Sequence, residues 1–535
     1  MNSLFTLKGK PFFTVGGQTH NSSTDSEESM ERAWKVVDKL GLDTIAAPIY
    51  WYLIEPEEDK FCFDQIDRII SGARRHKVKV VLLWFGTWKN GVSSYVPNWI
   101  KLKKDKYTWV ETVQHNKTRI LSPLCEATKQ ADIKAFTKIM EYLKKVNYDE
   151  TVLGIQIENE PGQLGSPRDY SELGEERFHS KVPADLISWV KDQKDSFIAG
   201  VWEKNGRKEK GLWQEVFGFD SAEIFTAYYF ANYINEVSRA GKSVYPLTTY
   251  VNVWLGEMYN RVPGVDYPSG GAVSKLFDLW KHFSPDIDAI CPDIYFQDAC
   301  TFDKLASTYS TKDNIFYIPE SAPTTMNALN VLRGITDYGL TGIHVFGIDS
   351  ILDADGNISE RSREYASFIR VIQAMKPMIV KYSGTGKLFS VAQYEGSASQ
   401  YLDFGDFIGR VTCFLPNGDN TAGGREHLDT FHRDPEIFNL RGKGLIVYEG
   451  NGSFYLAGEG FKLMLIKKDT IEGMSSGVRA STFQNGRHQE FLTLSEGHFD
   501  EDGKFIPVRD RCGDECDYGI WVHSDIGVVH AVLEV

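Results

Sequence analysis

The chain has 535 residues, which leaves room for a barrel of ~250 residues and an accessory domain and removes any need for a disulfide or metal staple. Hydrophobic residues make up 42% and charged residues 25%, which excludes a disordered chain. Lys and Arg number 59 against 73 Asp and Glu, and the net charge of −14 speaks against nucleic acid and anionic membrane surfaces as partners.

Seven cysteines, an odd and sparse set, fit reduced thiols better than a disulfide framework. The opening MNSLFTLKGKPFF lacks the pattern of a signal peptide, and no charge-free apolar stretch approaches the ~20 residues of a membrane span. The expectation is a cytoplasmic protein with no membrane partner, and a homo-oligomer is compatible with it. Of 12 tryptophans, all but Trp521 fall between Trp34 and Trp280, so two parts of the chain have different compositions.

Phe12–Gly16 reads as a first strand. Thr24 and Glu27 form a capping-box pattern ahead of Met30, Trp34, Val37 and Leu40 at helical spacing, with a stop at Gly41. Thr44–Tyr50 is a second strand, followed by a helix carrying Ile66, Ile69, Ile70 and Ala73. The near-continuous apolar run Val78–Phe85 has the composition of a strand covered on both faces. Another amphipathic helix passes through Ile133, Phe136, Ile139, Met140 and Leu143, and Val152–Ile157 is the fourth strand. A long charged connection leads to Leu247–Val253, and Ile287–Ile290, Ile315–Ile318 and Gly342–Phe346 complete the series. A final helix carries Tyr365, Phe368, Val371, Ile372 and Met375. Eight strand–helix units in succession predict an α/β fold, a (β/α)8 TIM barrel over residues 1–382. A doubly wound sheet is the alternative, but no Gly-rich phosphate turn follows strand one.

From residue 383 the texture changes to short β-rich runs punctuated by Gly, Asn and Asp. Asn451-Gly452 between Leu445–Tyr448 and Phe454–Ala457 is a hairpin pattern. With Phe461–Ile466, Gly519–Val522 and Val528–Val535, it predicts an all-β, sandwich-like domain over residues 383–535.

Catalytic groups of such barrels project from the carboxyl ends of the strands. Strand four ends in Glu158-Asn159-Glu160 and strand seven in Glu320. Two carboxyls facing each other across a sugar are the minimal apparatus of glycoside hydrolysis. Glu160, nearer the loop, is preferred to Glu158, which in an extended strand would share its face one layer below. Glu55 belongs to an acidic run that shapes the second loop. Asn159 is placed to hold a sugar 2-hydroxyl. Trp51, Trp84, Trp88, Trp254 and Tyr295 end strands two, three, five and six as candidate aromatic walls. His20 is a candidate hydrogen-bond donor to substrate, and Asn252 and Phe346, on strands five and eight, complete the candidate binding set.

An Asn-Glu pair after strand four with a Glu after strand seven resembles the pattern of the clan A retaining glycoside hydrolases. Gln156-Ile-Glu158-Asn159-Glu160-x-Gly162 resembles the acid/base segment of family 35 β-galactosidases, in particular a bacterial branch with an all-β carboxyl-terminal domain. The resemblance extends through His20-Asn21-Ser22-Ser23, Tyr50-Trp51, Glu55-Pro56 and Leu83-Trp84-Phe85-Gly86-Thr87-Trp88-Lys89-Asn90. It continues in Ser94-Tyr95-Val96-Pro97, Tyr267-Pro268-Ser269-Gly270-Gly271, Cys291-Pro292-Asp293-Ile294-Tyr295 and Ile318-Pro319-Glu320. It implies Glu160 as acid/base, Glu320 as nucleophile, Asn159 on the 2-hydroxyl and Tyr295 on the nucleophile. The chain departs from the mainstream family in its strand-three segment and in Pro161 after Glu160, which leaves the choice of sugar open.

Other patterns carry no site. Asp353-Ala-Asp355-Gly356 lacks the first and last ligands of a calcium loop. Gly384-Thr-Gly386-Lys387 lacks the Ser or Thr of a phosphate loop. Cys512 and Cys516 have no second pair at zinc spacing, and His427 and His432 do not share a helical face. The expected function is therefore a retaining exo-acting β-glycosidase, a β-galactosidase first, acting on an oligosaccharide or β-galactoside with no metal and no cofactor. Its rivals are the same machinery on another sugar (an α-L-arabinopyranosidase, β-glucosaminidase or β-xylosidase) and a non-catalytic carbohydrate-binding barrel.

Overall fold

The computed structural model describes residues 2–256, 261–394, 399–413, 441–471, 491–516, 519–523 and 525–535. His427 and His432 lie outside the described residues.

The barrel strands are Thr14–Gln18, Thr44–Tyr50, Lys79–Lys89, Val152–Asn159, Thr248–Trp254, Ala289–Asp293 and Gly342–Phe346, in one parallel sheet. The predicted seventh strand, Ile315–Ile318, does not form a regular ladder. Residues 315–321 instead cross the remaining gap by isolated parallel bridges, Ile294 to Ser321 on one side and Ile318 to Ile343 on the other. Backbone bonds from Ile294 N to Glu320 O and from His344 N to Ile318 O close the barrel there. Pro319 has no N–H to donate, which limits what that segment can ladder.

Each strand is followed by a helix that lays one apolar stripe on the sheet. Glu27–Leu40 buries Met30, Ala33, Trp34, Val36, Val37 and Leu40. Its cap is Ser26, whose side chain accepts from Ser29 N, rather than the predicted Thr24. Thr24 is buried and bonds instead to Pro48 O and the Tyr50 hydroxyl. Asp64–Arg75, Glu126–Val146 and Ser221–Val244 follow strands two, three and four. Before Ser221, four short helices from Glu172 to Phe217 bury Trp189, Trp202 and Trp213, which is where much of the tryptophan excess goes.

A hairpin, Phe5–Leu7 with Lys10–Phe12, stops the amino end of the barrel. Phe5 sits edge-on to Tyr250 and Tyr317, at centroid distances of 6.3 and 5.3 Å. A Cβ on Gly154 would lie 2.6 Å from the Phe5 ring, so strand four needs glycine where the plug enters. The Asp353 region is a turn, with Asp353 Oδ1 accepting the amides of Asp355 and Asn357 at 2.9 and 2.8 Å.

Beyond Tyr382 the described strands form two antiparallel sheets. Six strands, Leu388–Ala392, Lys443–Gly450, Ser453–Glu459, Val528–Leu533, Phe491–Phe499 and Phe505–Asp510, lie in that spatial order. Ser399–Asp403, Phe407–Cys413, Phe461–Lys467 and Ile520–Val522 make the other sheet. Val391, Phe407, Phe454, Leu463, Ile520 and Val529 fill the space between them, as in a sandwich. Asn451 and Gly452 have φ of 52° and 74°, the left-handed pair that a two-residue type I′ hairpin requires.

The larger sheet packs on the barrel helices Thr325–Asp337 and Arg363–Tyr382. Leu388, Leu445, Val447, Ala457 and Val528 join the same hydrophobic core as the barrel. Lys443 and Glu459 pair at this junction with no side-chain exposure, and the Ser367 hydroxyl donates to Glu459. The seven cysteines are free. Among the described residues, no helix is long and apolar enough to cross a membrane.

Candidate active site

Strand alternation decides which side chains reach the barrel interior. Ala289 and Cys291 face inward, so Asp293, two residues on, ends strand six pointing inward. Tyr250 does the same for Asn252. Strand four breaks the rule: Ile155 and Ile157 face the helices, but Glu158 has a φ of 59° and Glu160 of 47°. This left-handed backbone redirects the side chains. Glu158 turns outward to accept from Thr87 N at 3.0 Å and Trp88 N at 2.5 Å, while Asn159 and Glu160 turn to the mouth. Glu158 and Glu160 therefore do not share a face.

Glu320 is the hub. Its Oε1 accepts from Gln18 Nε2 at 2.9 Å and Asn159 Nδ2 at 3.1 Å, and Asn252 Nδ2 approaches to 3.5 Å. Tyr295 donates its hydroxyl to Oε2 at 2.8 Å. Burial raises the Tyr295 hydroxyl pKa, with Glu320 adding to it, so the phenol keeps its proton. The Glu160 amide donates to Asn252 Oδ1 at 2.8 Å, and Asn252 Nδ2 donates to Asp293 Oδ2 at 2.7 Å. One carboxyl oxygen from each of Glu160, Asp293 and Glu320 lies within 4.8 Å of the others. Burial, then the charge of Glu320, pushes Glu160 up to about 7, and Lys89 pulls the other way. Asp293 is also held well above the usual carboxylate range, by burial and then by Glu320 and Glu160.

Gln18 and Asp293 escaped sequence reading. The period-2 spacing of Asp293 from Cys291 and Ala289 was the pattern that could have found it. His20 and Phe346 form a separate pair at the rim, with ring centroids 5.4 Å apart, and Asp349 Oδ1 lies 2.5 Å from His20 Nδ1.

Three aromatic walls are corrected: Trp51, Trp84 and Trp88 are all 0% exposed. Val81, Leu83 and Phe85 face the barrel interior, so Trp84 faces the helix layer, where its Nε1 bonds Asp132 Oδ1 at 2.9 Å. Trp88 donates to Leu121 O at 3.0 Å and packs on Phe230 and Tyr233. Trp51 opens a short helix and donates to Glu55 Oε2 at 3.0 Å, which makes Glu55 a structural acceptor. Asp132 also accepts from Thr87 and Tyr233, and burial raises both it and Glu158, a support beneath the site.

Residues 20–206 match the profile of glycoside hydrolase family 42, described as beta-galactosidase. The resemblance to family 35 is not supported. Residues 365–523 match a domain of unknown function, DUF5597. Among solved structures, the chain is similar to a catalytic mutant of a GH42 beta-galactosidase from G. stearothermophilus, with 16% identity and a TM-score of 0.50 over 71% of this chain and 58% of that one. A beta-galactosidase from Bacillus circulans sp. alkalophilus gives 14% and 0.50 over 70% and 57%. The catalytic domain of a beta-amylase from Paenibacillus polymyxa gives 14% and 0.50 over 67% and 98%. The chain spans somewhat over half the length of the two beta-galactosidases, and these likenesses bear on fold. No curated protein matches the chain.

Proposed function

We propose that the protein is a retaining, exo-acting β-glycosidase, a β-galactosidase first, that releases a terminal sugar by double displacement. The observation that carries this is the carboxyl pair. One oxygen of Glu160 lies within 4.8 Å of one of Glu320, a close approach that supports the direct attack retaining enzymes make across ~5–5.5 Å. Glu320, accepting from Gln18, Asn159 and Tyr295, attacks the anomeric carbon. Glu160 gives its proton to the departing glycosidic oxygen, then takes one from the water that releases the sugar. The first step discharges Glu320, which removes the repulsion holding Glu160 up and readies it as a base. Asn159 sits beside both carboxyls, where it would meet the sugar 2-hydroxyl. The catalytic unit lies within residues 1–382, and residues 383–535 supply neither carboxyl.

A panel of nitrophenyl glycosides, followed by NMR of the first product, tests the reading. β-Galactoside turnover with the β-sugar appearing first is expected. An α-sugar first would overturn the mechanism. Preference for an arabinopyranoside, xyloside or glucosaminide would keep the mechanism and change the sugar, and no turnover at all would favour a binding barrel.

Tyr295→Phe is expected to lower kcat by about 10–100-fold, the worth of one hydrogen bond to a charged group, with the fold intact by circular dichroism. The three carboxyls could also draw in a cation, but double displacement needs only two of them and a water. Exhaustive EDTA treatment is therefore expected to leave the rate unchanged. A loss restored by one divalent ion would contradict this.

A further inference from the structure

At the carboxyl end of the barrel, strand three continues beyond the sheet as a ribbon. Asn90 and Gly91 turn the chain, Lys89 and Val92 exchange backbone hydrogen bonds, and the Ser93 amide donates to Arg119 O at 2.8 Å. Beside this ribbon lies a cleft of about 400 Å³, walled by Lys101, Lys104, Lys117, Arg119 and Trp109. That volume lies within the range of small-molecule sites. No Asp or Glu lines it.

In a chain of net charge −14, four cations without a counter-ion are unexpected. Their neighbours Lys103 and Lys106 both pair with Glu58, whereas Lys101 donates to Ser94 O at 3.0 Å and no carboxylate among the described residues pairs with any of the four. Burial lowers the Lys101 pKa with nothing offsetting it, a cost that a bound anion would relieve. Trp109 is half-buried and lines the cleft, an aromatic side chain of the kind that sugar rings pack on. The cleft is tied to the catalytic carboxyls through the backbone. The Asn90 amide donates to Asn159 O at 3.0 Å, and Ser93, three residues on, lies within about 11 Å of Asn90.

We propose that this cleft binds an anionic group, a sulfate ester or a carboxylate, on a saccharide chain whose neutral terminal sugar lies between Glu160 and Glu320. The proposal rests on the glycosidase reading above. It makes the substrate a charged polysaccharide, and the four cations give an acidic protein a local means of capturing a polyanion that its net charge would repel.

The test is calorimetric titration of the full-length Glu320→Gln protein, which should bind without turning over. The probes are β-linked galactotetraose, the same tetraose with sulfate esters on its reducing-end sugars, and a counterpart bearing uronates there. At low salt a charged chain should bind about tenfold more tightly than the neutral one, and the advantage should shrink at high salt. Whichever charged chain shows the larger advantage identifies the anion. Lys117→Glu with Arg119→Glu, both exposed positions, should erase the advantage and leave the neutral tetraose within about twofold. Equal affinity for charged and neutral chains, or an advantage that survives the double substitution, overturns the proposal. Either result with nitrophenyl turnover intact sinks the cleft alone. Failure to bind any tetraose, with no turnover of the panel by the unsubstituted protein, sinks the glycosidase reading as well.

Discussion

Glu320→Gln is expected to lower turnover by at least about 10⁴-fold, the scale on which a covalent mechanism loses its nucleophile. Both carboxyls sit at the barrel mouth, away from the packed interior, so the variants should fold. With a dinitrophenyl glycoside, whose leaving group needs no proton, Glu160→Ala should form the glycosyl-enzyme and then stall for want of a base. Azide, a nucleophile that needs no base, should restore its turnover and yield a β-glycosyl azide. Azide added to Glu320→Ala should instead give the α-glycosyl azide by direct displacement. Rescue of neither variant would remove both role assignments. Rescue of the Glu320 variant alone would remove that of Glu160.

The second large effect is on the pH profile. Glu160 must be protonated to act as an acid, and its pKa is raised to about 7. The acid form therefore dominates below that pH and is lost above it. For a substrate that needs its leaving group protonated, kcat/KM should fall tenfold per pH unit beyond about 7. The dinitrophenyl glycoside should lack this basic limb. Asp293→Asn tests the third carboxyl. If Asp293 is neutral in the working site, as its burial and the neighbouring Glu320 and Glu160 favour, the amide preserves the charge and moves the limb by less than about half a pH unit. An ionised Asp293 would reveal itself by a larger acidic shift, since its replacement would relieve Glu160 of a second negative neighbour.

Much of this was legible from residue patterns because the patterns are periodic. The helical stripe Met30–Leu40, the run Val78–Phe85 and the Asn451-Gly452 turn are each local, and each forms where expected. The carboxyl pair was legible because barrel topology ties chemistry to strand ends. What failed was the direction of single side chains. Trp84 and Trp88 end a strand, but alternation and the buried acceptors Asp132 and Leu121 O draw them into the helix layer. Glu158 and Glu160 do not share a face because both are themselves left-handed, and no spacing rule foretells a φ. Residues 315–321 have strand composition, but they close the sheet through single bridges, a tertiary outcome.

The sandwich rests on helices Thr325–Asp337 and Arg363–Tyr382, one on either side of the last barrel strand in sequence, and the first of them follows directly on the seam where residues 315–321 carry Glu320. Its residues Leu388, Leu445, Val447 and Ala457 share one unbroken core with the barrel, and its buried pair Lys443–Glu459 meets Glu364 and Ser367 of the barrel helix Arg363–Tyr382. Modularity in the sequence therefore does not translate into modularity in folding. A barrel cut after Tyr382 would lose part of its own interior, at the helices that brace its least regular strand. The all-β part is to this chain what a keystone is to an arch, and barrel and sandwich should melt as a single cooperative unit.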